Sequence, residues 1–300
     1  MKQLVIAERF CLAGHILSKA FGLAGLLLVV PHAEAVLNTG AGQTVMQLSL
    51  AGGGVVDILL GTVATFLYAC RVLGIQTTLA FMLPAMTLSL GSELLGTSTG
   101  FPFGEYSYLS GLGYKIAGLV PFTIPLSWFY VGISAYLIAR IGLGVNQKSS
   151  MLRQIAAVAI GAMLFTCWDF ALEPAMSQTG FPFWFWEKSG AFFGTPYRNY
   201  AGWFGTSALF MSVAAFLWSQ ASIKLERSQL LVPLTIYLTN FAFGAIISWA
   251  SGFPIPVLLG LVVGVIPAIA LCWIVQPTTA TAAIDTATQI PVAPIKVALK

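Results

Sequence analysis

Eight apolar runs, each near the ~20 residues that cross ~30 Å of hydrocarbon as a helix, fill most of this chain. They lie at about 10–30, 45–70, 77–95, 116–140, 154–172, 201–220, 230–250 and 255–275. In hydrocarbon each backbone N–H and C=O must be satisfied within the chain, so runs of this length are expected to be helices packed on one another. Charged residues are 8% of the 300 and hydrophobic ones 58%, whereas about a quarter of a soluble domain is charged. The expected fold is all-α, a polytopic integral membrane helix bundle of about eight transmembrane helices. One transmembrane domain covers residues 1–275, and 276–300, rich in Thr, Ala and Pro, reads as a disordered tail. Ala33-Glu34-Ala35 mimics a signal-peptide cleavage site, but the apolar run before it exceeds the ~7–15 residues of a signal peptide. An uncleaved first span is expected.

Lys and Arg in the short loops set the orientation. One side receives Lys2, Arg9, Arg71, Arg140, Lys148, Arg153, Lys224, Arg227, Lys296 and Lys300, and the other only Lys115, Lys188 and Arg198. Both termini are therefore expected in the cytoplasm. On the opposite face a motif occurs twice. Glu93 is followed six residues later by Thr99-Gly-Phe-Pro-Phe103, and Glu173 at the same offset by Thr179-Gly-Phe-Pro-Phe183. The helices before the two copies run the same way, so the repeat is direct and its loops can meet over a shared cavity. A poorer echo, Ser251-Gly-Phe-Pro254, has no acid ahead of it and reads as a turn.

Each charge inside a span calls for a partner or a task, since it costs about 2.5–3.5 kcal/mol on insertion scales. Lys19 and Asp57 fall at similar depth on the first two helices and are expected to form a buried ion pair, with a catalytic role as the alternative. Asp169 and Glu173 are four residues apart on one helical face. Such carboxylates repel unless one is protonated or a cation intervenes, and Lys188 or Arg198 is the structural alternative for that cation. The loops carry Phe101, Phe103, Tyr106 and Tyr108, then Phe181, Phe183, Trp184, Phe185 and Trp186, with Asn199 and Trp203 just beyond. That density exceeds an interfacial belt, and aromatic faces also line polyene pockets or stabilise a cation.

Other chemistry is excluded by what is missing. His15 and His32 are the only histidines, too few for a histidine-rich di-iron site. The cysteines Cys11, Cys70, Cys167 and Cys272 show no metal spacing and read as small apolar residues. There is no basic cluster for nucleic acid, no Ser-His-Asp or Cys-His arrangement and no DDxxD. Gly52-Gly-Gly54 lacks the setting of a nucleotide loop and is expected to permit close helix packing.

The segments Ser92–Tyr108, Ser110–Pro121 and Trp168–Pro174, with Gly194-Thr-Pro196 and Asn199–Trp203, resemble the CruF-type carotenoid 1,2-hydratases of cyanobacteria, which are related to archaeal hydratases that make bacterioruberin. The likeness spans residues 10–275. It implies a membrane lyase of carotenoid biosynthesis, in a bacterial inner or thylakoid membrane, that adds water across the C1'=C2' bond of a ψ-end carotenoid such as γ-carotene or lycopene, leading to myxol-type xanthophylls. It implies neither metal nor redox cofactor, and as partners only the carotenoid and membrane lipid.

An isolated trisubstituted alkene must be protonated before water can add. A proton on C2' leaves a tertiary cation at C1', which water captures. The chemistry needs a positioned acid, aromatic faces around the cation and a held water. Asp169 is the expected acid beside Glu173, and Glu93 or Glu105 is expected to hold the water, with acid and base exchangeable. Tyr106, Tyr108, Phe101, Phe103, Phe181, Trp184, Trp186, Asn199 and Trp203 are the expected substrate contacts. A carotenoid cyclase would use the same protonation but yield an isomer, while a lipid or small-molecule transporter or a passive carotenoid-binding protein would convert nothing.

Overall fold

A computed structural model describes residues 2–34, 38–146, 148–219, 221 and 223–275; the tail expected at 276–300 lies outside them. The protein is an all-α polytopic membrane bundle, and among the described residues eight helices are long and apolar enough to span. In chain order they are α1 (Lys2–Ala24), α2 (Gly40–Leu73), α3 (Ile75–Thr99), α4 (Thr123–Gly142), α5 (Met151–Ser177), α6 (Tyr197–Leu217), α7 (Leu231–Ala250) and α8 (Pro254–Ile274).

Local chemistry explains most of the boundaries. Thr39 and Ser150 cap α2 and α5 by accepting from the backbone N–H of Gly42 and Arg153, as small hydroxyl residues do at helix starts. Gly100 ends α3 at φ 76° and donates to the Gly96 carbonyl, a left-handed stop that glycine takes without steric cost. The run expected as helix from 116 begins helically only at Thr123. Before it, Lys115–Ile116 (β2) pairs antiparallel with Val120–Pro121 (β3). Between them Ala117 and Gly118 take φ 52° and 73°, a turn geometry that no helix accommodates.

Every residue of α4 from Trp128 to Arg140 is buried, so α4 forms the centre. With α3, α5 and α6 it closes a ring in which α3 and α5 each pack on both α4 and α6. α1 lies along α2 on the outside. Glu8 pins them by accepting from Arg71 Nε and Nη2 at 2.6 and 2.8 Å.

The two repeat loops meet at one end of the bundle. Tyr106–Tyr108 (β1) pairs antiparallel with Trp184–Trp186 (β4), Tyr106 opposite Trp186 and Tyr108 opposite Trp184. The repeat offset of 80 residues, from Glu93 to Glu173, carries Tyr106 onto Trp186, its own ladder partner. A two-fold axis through that pair produces this register, and it runs parallel to helices that point the same way. Trp128 of α4 and Trp203 of α6 stack, with centroids 4.5 Å apart and planes at 20°.

Phe103 wedges the two halves together. A Cβ on Gly96 of α3 would stand 2.7 Å from its ring, and one on Gly202 of α6 2.6 Å from the opposite edge. Phe103 is only 1% exposed and is held between the two glycines. Gly202→Ala is therefore expected to cost about 1–3 kcal/mol by overpacking, read as a lower melting temperature in detergent; an unchanged melting curve would show that the wedge relaxes freely.

Candidate active site

A cavity of about 710 Å³ opens below the β1–β4 ladder. Its outer wall is apolar and comes from the second half of α1, the helical turn Gly25–Val29 that follows it and the first half of α2, including Phe21, Val29, Val45 and Leu48. Gly52 and Gly53 also face it and touch nothing that a Cβ would meet, so close packing at the glycine triplet belongs to Gly54 alone, against Gly111 O.

Two carboxylates line the inner wall, one from each repeat. Glu93 is 3% exposed and accepts from Tyr106 Oη in a very short contact, from Tyr108 Oη at 2.9 Å and from Trp128 Nε1 at 3.1 Å. Burial, and then the neighbouring Glu93, push both tyrosine hydroxyls well above the ordinary tyrosine range, so they keep their protons and donate. Glu173, also 3% exposed, accepts from Trp184 Nε1 at 3.1 Å, Trp186 Nε1 at 3.0 Å and Asn199 Nδ2 at 3.2 Å. Strand alternation explains the supply of donors. Residues 106 and 108 share one face of β1, and 184 and 186 share the facing side of β4, so the ladder turns four aromatic donors inward while Ser107 and Phe185 look away.

Asp169 is fully buried and does not reach the cavity. Its Oδ2 accepts from Asn199 Nδ2 at 2.9 Å, so a single amide holds both Asp169 and Glu173. Neither cation proposed to neutralise this pair does so. Lys188 binds Glu105 at 3.0 Å, and Arg198 lies over the Phe101 ring, 5.7 Å from its centroid.

Of the residues picked from sequence, Glu93, Glu173, Phe103, Tyr106, Tyr108, Trp184, Trp186, Asn199 and Trp203 line one cavity. Glu105 is corrected: its side chain is 52% exposed in the Lys188 pair, because the β1 alternation that turns Tyr106 inward turns its neighbour outward. Phe101 is also outside, 58% exposed, and Phe181 packs on Phe183 behind the wall. Sequence reasoning missed Trp128, a direct donor to Glu93. The dipeptides Trp128-Phe129 and Trp203-Phe204, one after each loop, were the available signal.

Lys19 and Asp57 form the expected ion pair, 2.9 Å apart, and both also line the cavity. They stand among Ser18, Tyr130 and Asn240, away from the ladder, giving the chamber a second polar end.

No solved structure gives a significant match to this chain. Over 143 residues it is 34% identical to the bisanhydrobacterioruberin hydratase of Haloarcula japonica, an alignment covering 47% of this chain and 46% of that protein. The chain thus spans about half the length of the curated relative it matches. A profile of carotenoid biosynthesis proteins matches residues 53–267, a stretch holding both acids, both ladder strands and the central ring of helices, and the chain therefore belongs to the carotenoid biosynthesis protein family.

Proposed function

We propose that this protein is a carotenoid hydratase that adds water across the terminal C1'=C2' double bond of a linear ψ-end carotenoid such as lycopene or γ-carotene. The observation that carries the reading is the pair of carboxylates, each held by donors from its own loop, on the inner wall of one aromatic cavity whose outer wall is apolar. Acids buried at membrane depth mark a functional site, and addition of water to an alkene gives two of them a task. The hydratase named above supports the same reaction class.

The donors differ in kind, and this divides the roles. A phenol hydroxyl can rotate and accept, so Glu93 with Tyr106 and Tyr108 can carry a proton and give it up. Indole N–H groups only donate, so Glu173 between Trp184 and Trp186 stays an acceptor. Glu93 delivers its proton to C2', the π pair of the C1'=C2' bond forming the new C–H bond as the acid O–H bond breaks. The tertiary cation at C1' is stabilised by the Trp128 and Trp203 faces and by the Glu173 charge. Water attacks C1' and passes its proton to the Glu93 carboxylate, which restores the acid and leaves a tertiary alcohol. Asp169 is then a positioning residue, fixing Asn199 and through it Glu173. A long polyene stays in lipid while its end enters between α1 and α2, where the cavity wall is apolar.

Expression in a lycopene- or γ-carotene-producing bacterium tests the reading by pigment mass. A product heavier by one water is expected. An isomer of unchanged mass would mean cyclisation, and unaltered pigment beside well-inserted protein would remove the proposal.

A further inference from the structure

The outer wall of the chamber is built by two antiparallel helices whose register is fixed at the inner end. Lys19 of α1 stands opposite Asp57 of α2, 2.9 Å apart. One turn further in, the His15 ring fills the space beside Gly61, where a Cβ would stand 2.8 Å from it, and Leu60 does the same for Gly14 at 3.2 Å. The two helices are tight there.

Towards the loop that joins them they are not. Carried on six residues from Lys19, the same register sets Gly25, the first residue of the turn after α1, level with residue 51 of α2 and so beside Gly52 and Gly53. All three glycines line the chamber, and a Cβ on any of them would meet nothing within 4 Å. Gly53 is exposed as well, so it stands at the mouth. Glycine is a poor helix residue beside alanine. Close packing, the usual reason to keep it in a span, applies to Gly14, Gly54 and Gly61 but not to these three.

The size of the chamber supplies another reason. Its lining on α2 runs from Val45 to Asp57, about 18 Å of helix. A lycopene-type chain is roughly as long as the ~30 Å of hydrocarbon in which it dissolves. With its reacting end at Glu93, the rest of the chain must leave the chamber through a wall.

We propose that Gly25, Gly52 and Gly53 frame a lateral slot between α1 and α2 in which the rigid polyene lies against bare helix backbone, and that their missing side chains make them specificity determinants for a long conjugated substrate. This rests on the carotenoid reading and deepens it. A side chain at Gly53 projects into the path of a long chain, whereas a substrate short enough to end inside the chamber does not meet it.

The test uses the full chain in lipid nanodiscs with two probes, lycopene and β-farnesene, a short acyclic hydrocarbon that ends in the same trisubstituted double bond. Binding of each is read from the rise in melting temperature that it causes, and conversion from product mass. Gly53→Leu is expected to weaken lycopene binding about tenfold, the scale of an overpacked contact, and to leave β-farnesene binding unchanged. The double variant Gly52→Ala/Gly53→Ala is expected to weaken lycopene binding about threefold while its ligand-free melting temperature holds or rises, since the added methyl groups displace nothing and alanine is the better helix former. Gly54→Ala, which meets Gly111 O at 3.0 Å, is expected to lower that temperature. Lycopene binding retained in full by Gly53→Leu overturns the slot, and so does a loss shared equally with β-farnesene, which would mean that the chamber itself has collapsed. Should Gly53→Leu fail to insert, the double alanine variant decides by the same two comparisons. Lycopene binding that depends on Gly53 without water gain in the wild-type protein leaves the slot and removes the hydratase, whereas water gain with binding indifferent to Gly53 does the reverse.

Discussion

Glu93→Gln is expected to lower hydration by about 10³-fold, within the range that general acid–base catalysis supplies, while leaving the protein folded. Glutamine keeps the shape and an acceptor oxygen for the Tyr106 and Tyr108 hydroxyls, but it has no proton to give the alkene. Pigment analysis in a lycopene-accumulating host, normalised to inserted protein, reads the loss. Tyr106→Phe is expected to cost less, because Tyr108 and Trp128 still hold the carboxyl. Near-normal conversion by Glu93→Gln would move the acid role to Glu173, the other carboxyl on the cavity wall.

Glu173→Leu is expected to act first on stability. It removes the acceptor for Trp184, Trp186 and Asn199, and an unpartnered buried donor costs about 1–3 kcal/mol. Together the three exceed about 3 kcal/mol, with Asp169 left leaning on an untethered amide. For a protein of this size about 2–4 °C of melting temperature goes with each kcal/mol, so a fall of roughly 10 °C is expected, read by tryptophan fluorescence. Glu173→Gln retains an oxygen for the indoles and should fall by much less while losing the charge that steadies the cation. Equal melting temperatures for the Leu and Gln variants would show that these hydrogen bonds do not hold the ladder closed.

The two outcomes bear on what could be read before any coordinates. Spans were legible because hydrocarbon imposes length and apolarity on each helix separately. The repeat was legible because Glu93 and Glu173 share an offset to Thr-Gly-Phe-Pro-Phe. Depth was not. Asp169 looked like the acid because it lies a turn deeper than Glu173, but the side of the helix on which a cavity opens depends on which neighbour packs there, and here Asn199 stands against it. Glu105 was misplaced for a related reason: a three-residue strand between two turns carries too little pattern to tell which of 105 and 106 faces inward. Lys19 and Asp57 were paired correctly because two antiparallel helices joined by a short loop bring equal depths together, whereas their exposure to the chamber depends on α7, far along the chain.

The ladder register has a consequence for how such a chain can originate. On a two-fold axis, position 106 faces its own counterpart, 186. A half-length ancestor bearing one acid helix and one aromatic strand could close the same ladder against a second copy of itself, a homodimer with two identical acids over one chamber. Fusing the copies frees each side of the axis to drift alone. The tyrosine now on one side and the tryptophan on the other record that freedom, a pair of equals turned into a donor of protons and a fixed anion.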